Sequence, residues 1–233
     1  MFKGNTKICI LDAGCAGGID PFFNDLIINS DSYAYGFDAN LEEINKLINT
    51  NKNPNINYYN FLISNKIDKE KFYKHETVGS IFENELKKKS YKNKYKEILI
   101  DSITLDNFVI NKNIKDIIIL KVDIEGSEVN LLDGAVKILE DLVVCVKIEF
   151  NLHSPVRTNN FSEIHKKMID NNFQLMNICL DEGNIFGIHS GDALYLKKPT
   201  KLILNNLYKK DKLLNYINLL LFLNKREFAY LVL

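Results

Sequence analysis

Apolar and polar positions along the chain change period repeatedly, and each change marks an element. Lys7 to Leu11 is almost wholly apolar and predicts a buried strand, followed by a short helix over Asp20 to Asn29 and a second strand over Tyr33 to Phe37. Leu41, Ile44, Leu47 and Ile48 recur at helical spacing, so Leu41 to Asn51 predicts an amphipathic helix, and Ile56 to Ile63 a third strand. Strands alternating with helices at this density call for parallel strands joined by right-handed crossovers. Residues 64 to 97 break the rhythm: they are polar and Lys-rich, and predict an inserted hairpin or loop. Order returns with a strand over Ile98 to Ile103 and a helix over Leu105 to Ile110. The run Ile117 to Leu120 is apolar on both faces, as a central parallel strand should be. Val129 to Leu139 predicts a helix, Leu142 to Phe150 a buried strand, and Phe161 to Asn172 another helix. Phe173 to Leu180 and Asp192 to Lys197 predict two strands, close enough in sequence to pair antiparallel. A Leu-rich helix is expected over Leu202 to Leu223. The pattern predicts one doubly wound α/β domain over residues 1–200, with residues 201–233 packing on it or on a partner.

Composition narrows the function classes. The 233 residues are 46% hydrophobic and 26% charged, which suits a soluble domain with a sizeable core. Thirty Lys and Arg balance thirty Asp and Glu, arguing against a chain whose main task is to coat nucleic acid. No apolar run reaches the roughly 18 residues of a membrane span, and Met1 to Asn5 lacks the apolar core of a signal peptide. Cys9, Cys15, Cys145 and Cys179 have neither metal nor disulfide spacing, so reduced thiols and a cytoplasmic location are expected.

Candidate chemistry begins where the first strand hands over to its helix, at Asp12-Ala13-Gly14-Cys15-Ala16-Gly17-Gly18. Glycines suit a turn that needs positive φ or a close approach of a ligand to the backbone. In this sheet class the ligand crevice lies at the carboxyl ends of the strands, where the strand order reverses. Asp38, ending the second strand, is placed to accept hydrogen bonds from both ribose hydroxyls of a nucleoside cofactor. A dinucleotide fingerprint needs Gly-x-Gly-x-x-Gly for its pyrophosphate, but Ala16 stands at the third motif position. Asp12, two residues before the first Gly, suits the ammonium group of S-adenosylmethionine, which needs no phosphate cradle. The turn therefore favours a methyl donor over NAD.

Charges also enter strands that should be greasy. Alternation places Lys121, Asp123 and Glu125 on one side of their strand for as long as it continues, and Lys147, Glu149, Asn151 and His153 on one side of the next. Buried charge is costly unless paired, so two neighbouring strands ending this way point to a site at the carboxyl edge of the sheet. The alternative is a structural network, for instance Lys121 with Glu149.

Leu120-Lys121-Val122-Asp123-Ile124-Glu125-Gly126-Ser127-Glu128, followed by Leu132-Asp133-Gly134-Ala135, resembles the Leu-Lys-Ile-Asp-Val-Glu-Gly-x-Glu and Leu-x-Gly-Ala segments of the FkbM family of S-adenosylmethionine-dependent methyltransferases. Asp12-Ala13-Gly14 with Gly18 resembles its first motif, Tyr35 to Asn40 its second, Leu62 to Asn65 its Ala-Leu-Ser-Asp turn, and Thr104-Leu105-Asp106 its Thr-Leu-Asp. The resemblance runs from about residue 7 to 198. It implies a Rossmann-like class I methyltransferase fold, with a seven-stranded, mostly parallel sheet whose last strand is antiparallel and with helices on both faces. It also implies O-methylation of small molecules, glycans or lipid-linked sugars. The expected cofactor contacts are Asp12, Ala13, Gly14, Cys15, Gly18, Asp38, Ala39 and Ser64.

For a hydroxyl acceptor, alignment with the activated methyl and removal of a proton are the tasks left to the protein. Asp123, Glu149 and His153 are the candidate bases, and Glu125 and Asn151 the candidate acceptor contacts. Asp123, Glu149 and Asn151 also offer oxygen ligands suited to Mg²⁺, although two carboxylates beside a cationic cofactor need no metal. The basic stretch Lys87 to Lys96 carries Tyr91 and Tyr95; it reads first as a solvated loop, and otherwise as the contact surface of an RNA methyltransferase. A non-catalytic binding module of the same fold is the third class. The C-terminal helix is expected to pack on its own domain, with a homodimer seam as the second option.

Overall fold

The computed structural model describes residues 7–28, 30–74, 79–80, 96–152, 160–181, 189–199 and 210–224. In chain order the first elements are β1 (Ile8–Ala13), α1 (Pro21–Ile28), β2 (Tyr33–Phe37), α2 (Leu41–Thr50) and β3 (Ile56–Tyr59). Then come β4 (Leu62–Ile63), β5 (Asp68–Lys74), β6 (Gly79–Ser80), β7 (Lys96–Ile103), α3 (Leu105–Asn111) and β8 (Ile117–Val122). The rest are α4 (Glu128–Asp133), α5 (Val136–Asp141), β9 (Val143–Asn151), α6 (Phe161–Asp170), β10 (Phe173–Leu180), β11 (Ser190–Lys197) and α7 (Lys210–Phe222).

Seven strands form one sheet in the order β10-β11-β9-β8-β1-β2-β3. β11 is antiparallel to both its neighbours, and the pairs from β9 to β3 are parallel. The strand order reverses at β1, where the chain first runs outward to β2 and β3 and later returns to β8 on the other side. This is the expected doubly wound sheet with its last strand reversed.

Both faces of the central strands are covered. Every residue of β1 and of β8 is buried. Cys9, Leu11 and Ala13 pack with α3, α4, α5 and α6 through Phe108, Leu131, Ile138 and Met168. Ile8 and Ile10 pack with α1 and α7 through Phe23, Leu26, Tyr216 and Leu219. Tyr216 also donates its hydroxyl to the Lys197 carbonyl at 2.6 Å, and Asn215 bonds the Lys7 backbone on both sides, at 3.2 and 2.9 Å.

Three expectations are revised. The strand predicted over Ile56 to Ile63 leaves the large sheet at Tyr59, and its last two residues form β4 in a second sheet of order β4-β7-β5-β6. Ile98 to Ile103 also belongs to that sheet, where β7 runs antiparallel to β5. The helix expected over Val129 to Leu139 is two helices, parted at Gly134-Ala135. A Cβ on Gly134 would lie 2.2 Å from the Ser64 carbonyl oxygen, so only glycine admits this crossing. The Asp106 carboxylate then starts α5 by accepting the N–H groups of Lys137 and Ile138 at 3.0 and 2.9 Å.

Candidate active site

The turn after β1 is built mainly by contacts within the protein. Gly14 has φ +82°, and a Cβ there would sit 1.7 Å from the Asp123 carbonyl oxygen. Gly14 and Cys15 donate their N–H groups to the Phe37 carbonyl at 2.9 and 3.1 Å. Gly18 donates to Cys15 at 2.9 Å, and Gly17 to Glu43 Oε1 at 3.0 Å. These four donors are engaged inside the protein, so they do not form the cradle a pyrophosphate needs.

Asp12 lies fully buried beneath this turn. Its Oδ2 accepts from the Asp20 N–H at 2.8 Å, and its Oδ1 lies 3.2 Å from Lys121 Nζ. Lys121 also donates to the Gly14 carbonyl at 2.7 Å and lies 3.6 Å from Asp123 Oδ2. Burial raises Asp12 to about 6, against the pull of Lys121. Burial alone would lower Lys121, but Asp12 and Asp123 outweigh it and raise the ammonium. The pair supports the turn from below. Asp12 is thus placed under the loop, with both oxygens turned to protein groups.

Above the turn, a cavity of about 220 Å³ opens along the carboxyl edge of the sheet. Strand order sets out its lining: Asp123, Ile124 and Glu125 after β8, Gly14 and Ala16 after β1, Asp38 to Asn40 after β2, and Phe61 to Ile63 beyond β3. Phe37 of β2, Lys121 of β8 and Phe72 and Lys74 of β5 complete it. The edge therefore runs from two carboxylates and Lys121 at the β8 end to apolar side chains at the β3 end, with Asp38 between them. Asp38 Oδ1 accepts from the Asn40 N–H at 2.7 Å, and burial pushes its carboxyl above the ordinary range. Asn60 Nδ2 pins this turn by donating to the carbonyls of Asp38 and Ala39, at 2.9 and 3.0 Å.

The turn after β8 is held by Glu128, the last acid of the Leu120 to Glu128 motif. Glu128 is fully buried, and its Oε1 accepts from Ile124 and Gly126 at 3.1 and 3.2 Å. Those bonds hold a tight reversal in which Glu125 has φ +58° and Gly126 φ +106°. Burial raises Glu128 to about 7. The signal available in the sequence was an acid inside a stretch otherwise bound for the core.

A family model described as the methyltransferase FkbM domain matches residues 17–175. The chain belongs to the FkbM methyltransferase family. No curated protein matches the sequence. Among solved structures it is similar to the FkbM methyltransferase of Methylobacillus flagellatus KT, at 15% identity and TM-score 0.49, over 84% of this chain and 45% of that one. This chain thus spans less than half the length of that protein. It is also similar to magnesium protoporphyrin IX methyltransferase of Synechocystis PCC 6803 with bound SAM, at 10% identity and TM-score 0.44, over 83% and 70% of the two chains. A putative rRNA methylase from Clostridium thermocellum matches at 12% identity and TM-score 0.43, over 81% and 88%.

The remaining candidates of the FkbM chain fall into separate groups. Gly14, Asp38, Ala39, Asp123 and Glu125 come together in the cavity. Ala13 is in the core, and Cys15 is 1% exposed against Ile44, Leu47 and Tyr58, on the far side of the turn. The open side of Gly18 faces Tyr58 and Leu47. Ser64 is buried, with its N–H on the Ile103 carbonyl and its own carbonyl against Gly134, so it stands behind the cavity wall. Glu149 and Asn151 lie one strand further along the edge, opposite Asp192 and Ser190 of β11, and outside the cavity lining. Lys147 joins a network with Asp20 at 2.6 Å and Asp192 at 3.3 Å, and Lys121 pairs with Asp12 rather than with Glu149. His153 and residues 87–95 of the basic stretch lie outside the described residues. Among the described residues no group of three or more His, Cys, Asp or Glu could hold a metal ion, and no helix is long and apolar enough to cross a membrane.

Proposed function

We propose that this FkbM chain binds S-adenosylmethionine in the edge cavity and methylates a hydroxyl oxygen of a small molecule or glycan. One observation carries the reading: the cavity sits where the strand order reverses, with Asp38 at its middle and no free phosphate cradle beside it. The lining fits the group. Asp38 suits the ribose hydroxyls, the apolar side chains beyond β3 suit a purine, and Asp123 and Glu125 suit a neighbouring positive charge.

The cofactor, when bound, supplies a methyl group already activated on a sulfonium. The protein's share is alignment, worth up to about 7 to 11 kcal/mol in well-oriented systems, and removal of the acceptor's proton. Asp123 is the leading base: it lines the β8 end of the cavity and its side chain is 43% exposed. Its contact with Lys121 and the Glu128-held turn fix where that carboxylate can point. With the cofactor bound, Asp123 would hold the proton that the acceptor hydroxyl gives up as the methyl leaves the sulfonium, which would remain as the neutral thioether. Glu149 and His153 remain candidates for the same role, and Glu125 and Asn151 for contacts to the acceptor.

Calorimetric titration with S-adenosylhomocysteine tests the reading, with NAD and Asp38→Ala as controls. Removing charge-assisted hydrogen bonds to ribose costs about 1.5 to 3 kcal/mol, roughly tenfold to a hundredfold in affinity. Binding that weakens by this factor in the variant is the expected result. Absence of binding to the folded protein, or preference for NAD, would sink it.

A further inference from the structure

The small second sheet lies outside the seven-stranded sheet, yet it lines the cavity with residues of β4 and β5. Its strand β4 continues directly from the β3 end of the edge, and β5 pairs with β7 so that Phe72 faces Ala39, Leu62 and Ile100. Phe72 is 7% exposed and lines the cavity together with its neighbours Ala39 and Leu62. Two residues later Lys74 lines the same cavity, with its side chain 18% exposed. Its ammonium reaches Glu42 Oε2 at 2.7 Å, in the first turn of α2. That contact joins β5 to the helix that follows the Asp38 turn. The outward charges of the sheet are engaged with one another, Lys69 with Asp101 at 3.5 Å and Lys71 with Glu97 at 2.8 Å. Lys74 is different: it leaves its own sheet to find its partner.

We propose that β5 is part of the cofactor site, with Phe72 as the wall against which the purine ring packs and the Lys74–Glu42 pair as the strap that holds this wall in place. The inference rests on the S-adenosylmethionine reading above. Strand order sets the direction: if the ribose meets Asp38 and the methyl end lies toward Asp123, the base lies toward β3, where β5 stands over it. Aromatic side chains are effective platforms for nucleobases because every base presents a π face. Lys74 and Glu42 act through Phe72 and are positioning residues.

The test uses the full chain and two probes, S-adenosylhomocysteine and adenosine, titrated calorimetrically. Phe72→Leu keeps an apolar side chain in the small core and removes the ring; it is expected to weaken both probes about fivefold or more. Lys74→Glu is expected to weaken both probes, and pairing it with Glu42→Lys to restore most of the loss, a rescue that simple destabilisation does not produce. The proposal is overturned if the wild type binds both probes and Phe72→Leu and Lys74→Glu bind them within twofold of it. Loss at Phe72 without rescue in the charge-swapped pair overturns the strap. A wild-type chain that binds neither probe removes the cofactor reading itself, a result distinct from wild-type binding with indifferent variants.

Discussion

Glu128 has no exposure to solvent, and two backbone N–H groups converge on one of its oxygens. A carboxyl raised by burial holds its proton in the folded state at a pH where the unfolded chain has lost it. Its contribution to stability is therefore full below the ordinary value of 4.5 and is lost as pH rises through about 7. Wild-type stability is expected to fall across that window, by at most on the order of 3 kcal/mol from this group. Glu128→Gln keeps an oxygen acceptor for Ile124 and Gly126 but cannot titrate, so its thermal melts should be flatter across the same window. Equal slopes in wild type and variant would refute the assignment. At this scale the sequence told half the story. Alternation along the strand put Lys121 and Asp123 together, but β8 ends at Val122. Both line the cavity, but Lys121 also reaches back to the Gly14 carbonyl and Asp12, which alternation along the strand does not show.

Among the elements, the parting of α4 from α5 shows what periodicity alone misses. Apolar spacing from Val129 to Leu139 is continuous enough for one helix, and Gly134 costs a helix interior only about 1 kcal/mol. The break is imposed from outside, by the Ser64 carbonyl pressing on Gly134 and by the Asp106 carboxylate capturing the next N–H groups. Gly134 has φ −88°, which any residue tolerates, so Gly134→Ala tests sterics alone. The clash at 2.2 Å is with backbone, and the substitution is expected to destabilise by about 1 to 3 kcal/mol in urea unfolding. A neutral result would show that the Ser64 turn yields easily. The same contact explains why Ser64, matched to a family turn in sequence, lies behind the cavity wall.

Over the whole molecule, one face of the sheet depends on α7. Tyr216, Leu219 and Leu220 are fully buried against Ile8, Ile10, Ile119 and Leu196. A chain ending at residue 209 would uncover that face, and is expected to melt lower and to aggregate, as light scattering would report. If the truncated chain stays monomeric with an unchanged melt, α7 is dispensable to the core.

The sequence by itself determined most elements of the large sheet, its parallel run and the placing of a glycine turn and Asp38 at the carboxyl edge. These follow from local periodicity and turn chemistry, which are written in neighbouring residues. Tertiary structure alone decided which polar groups meet a ligand and which support the fold. Asp12 and Lys121 are more than a hundred positions apart, and only the register of β1 on β8 sets them side by side beneath the turn. Only tertiary structure, too, folded the polar stretch after β3 back as a second sheet, bringing Phe72 and Lys74 to the cavity. The alternating charges of β5 describe a solvated strand, and they do not say what its few apolar side chains will face.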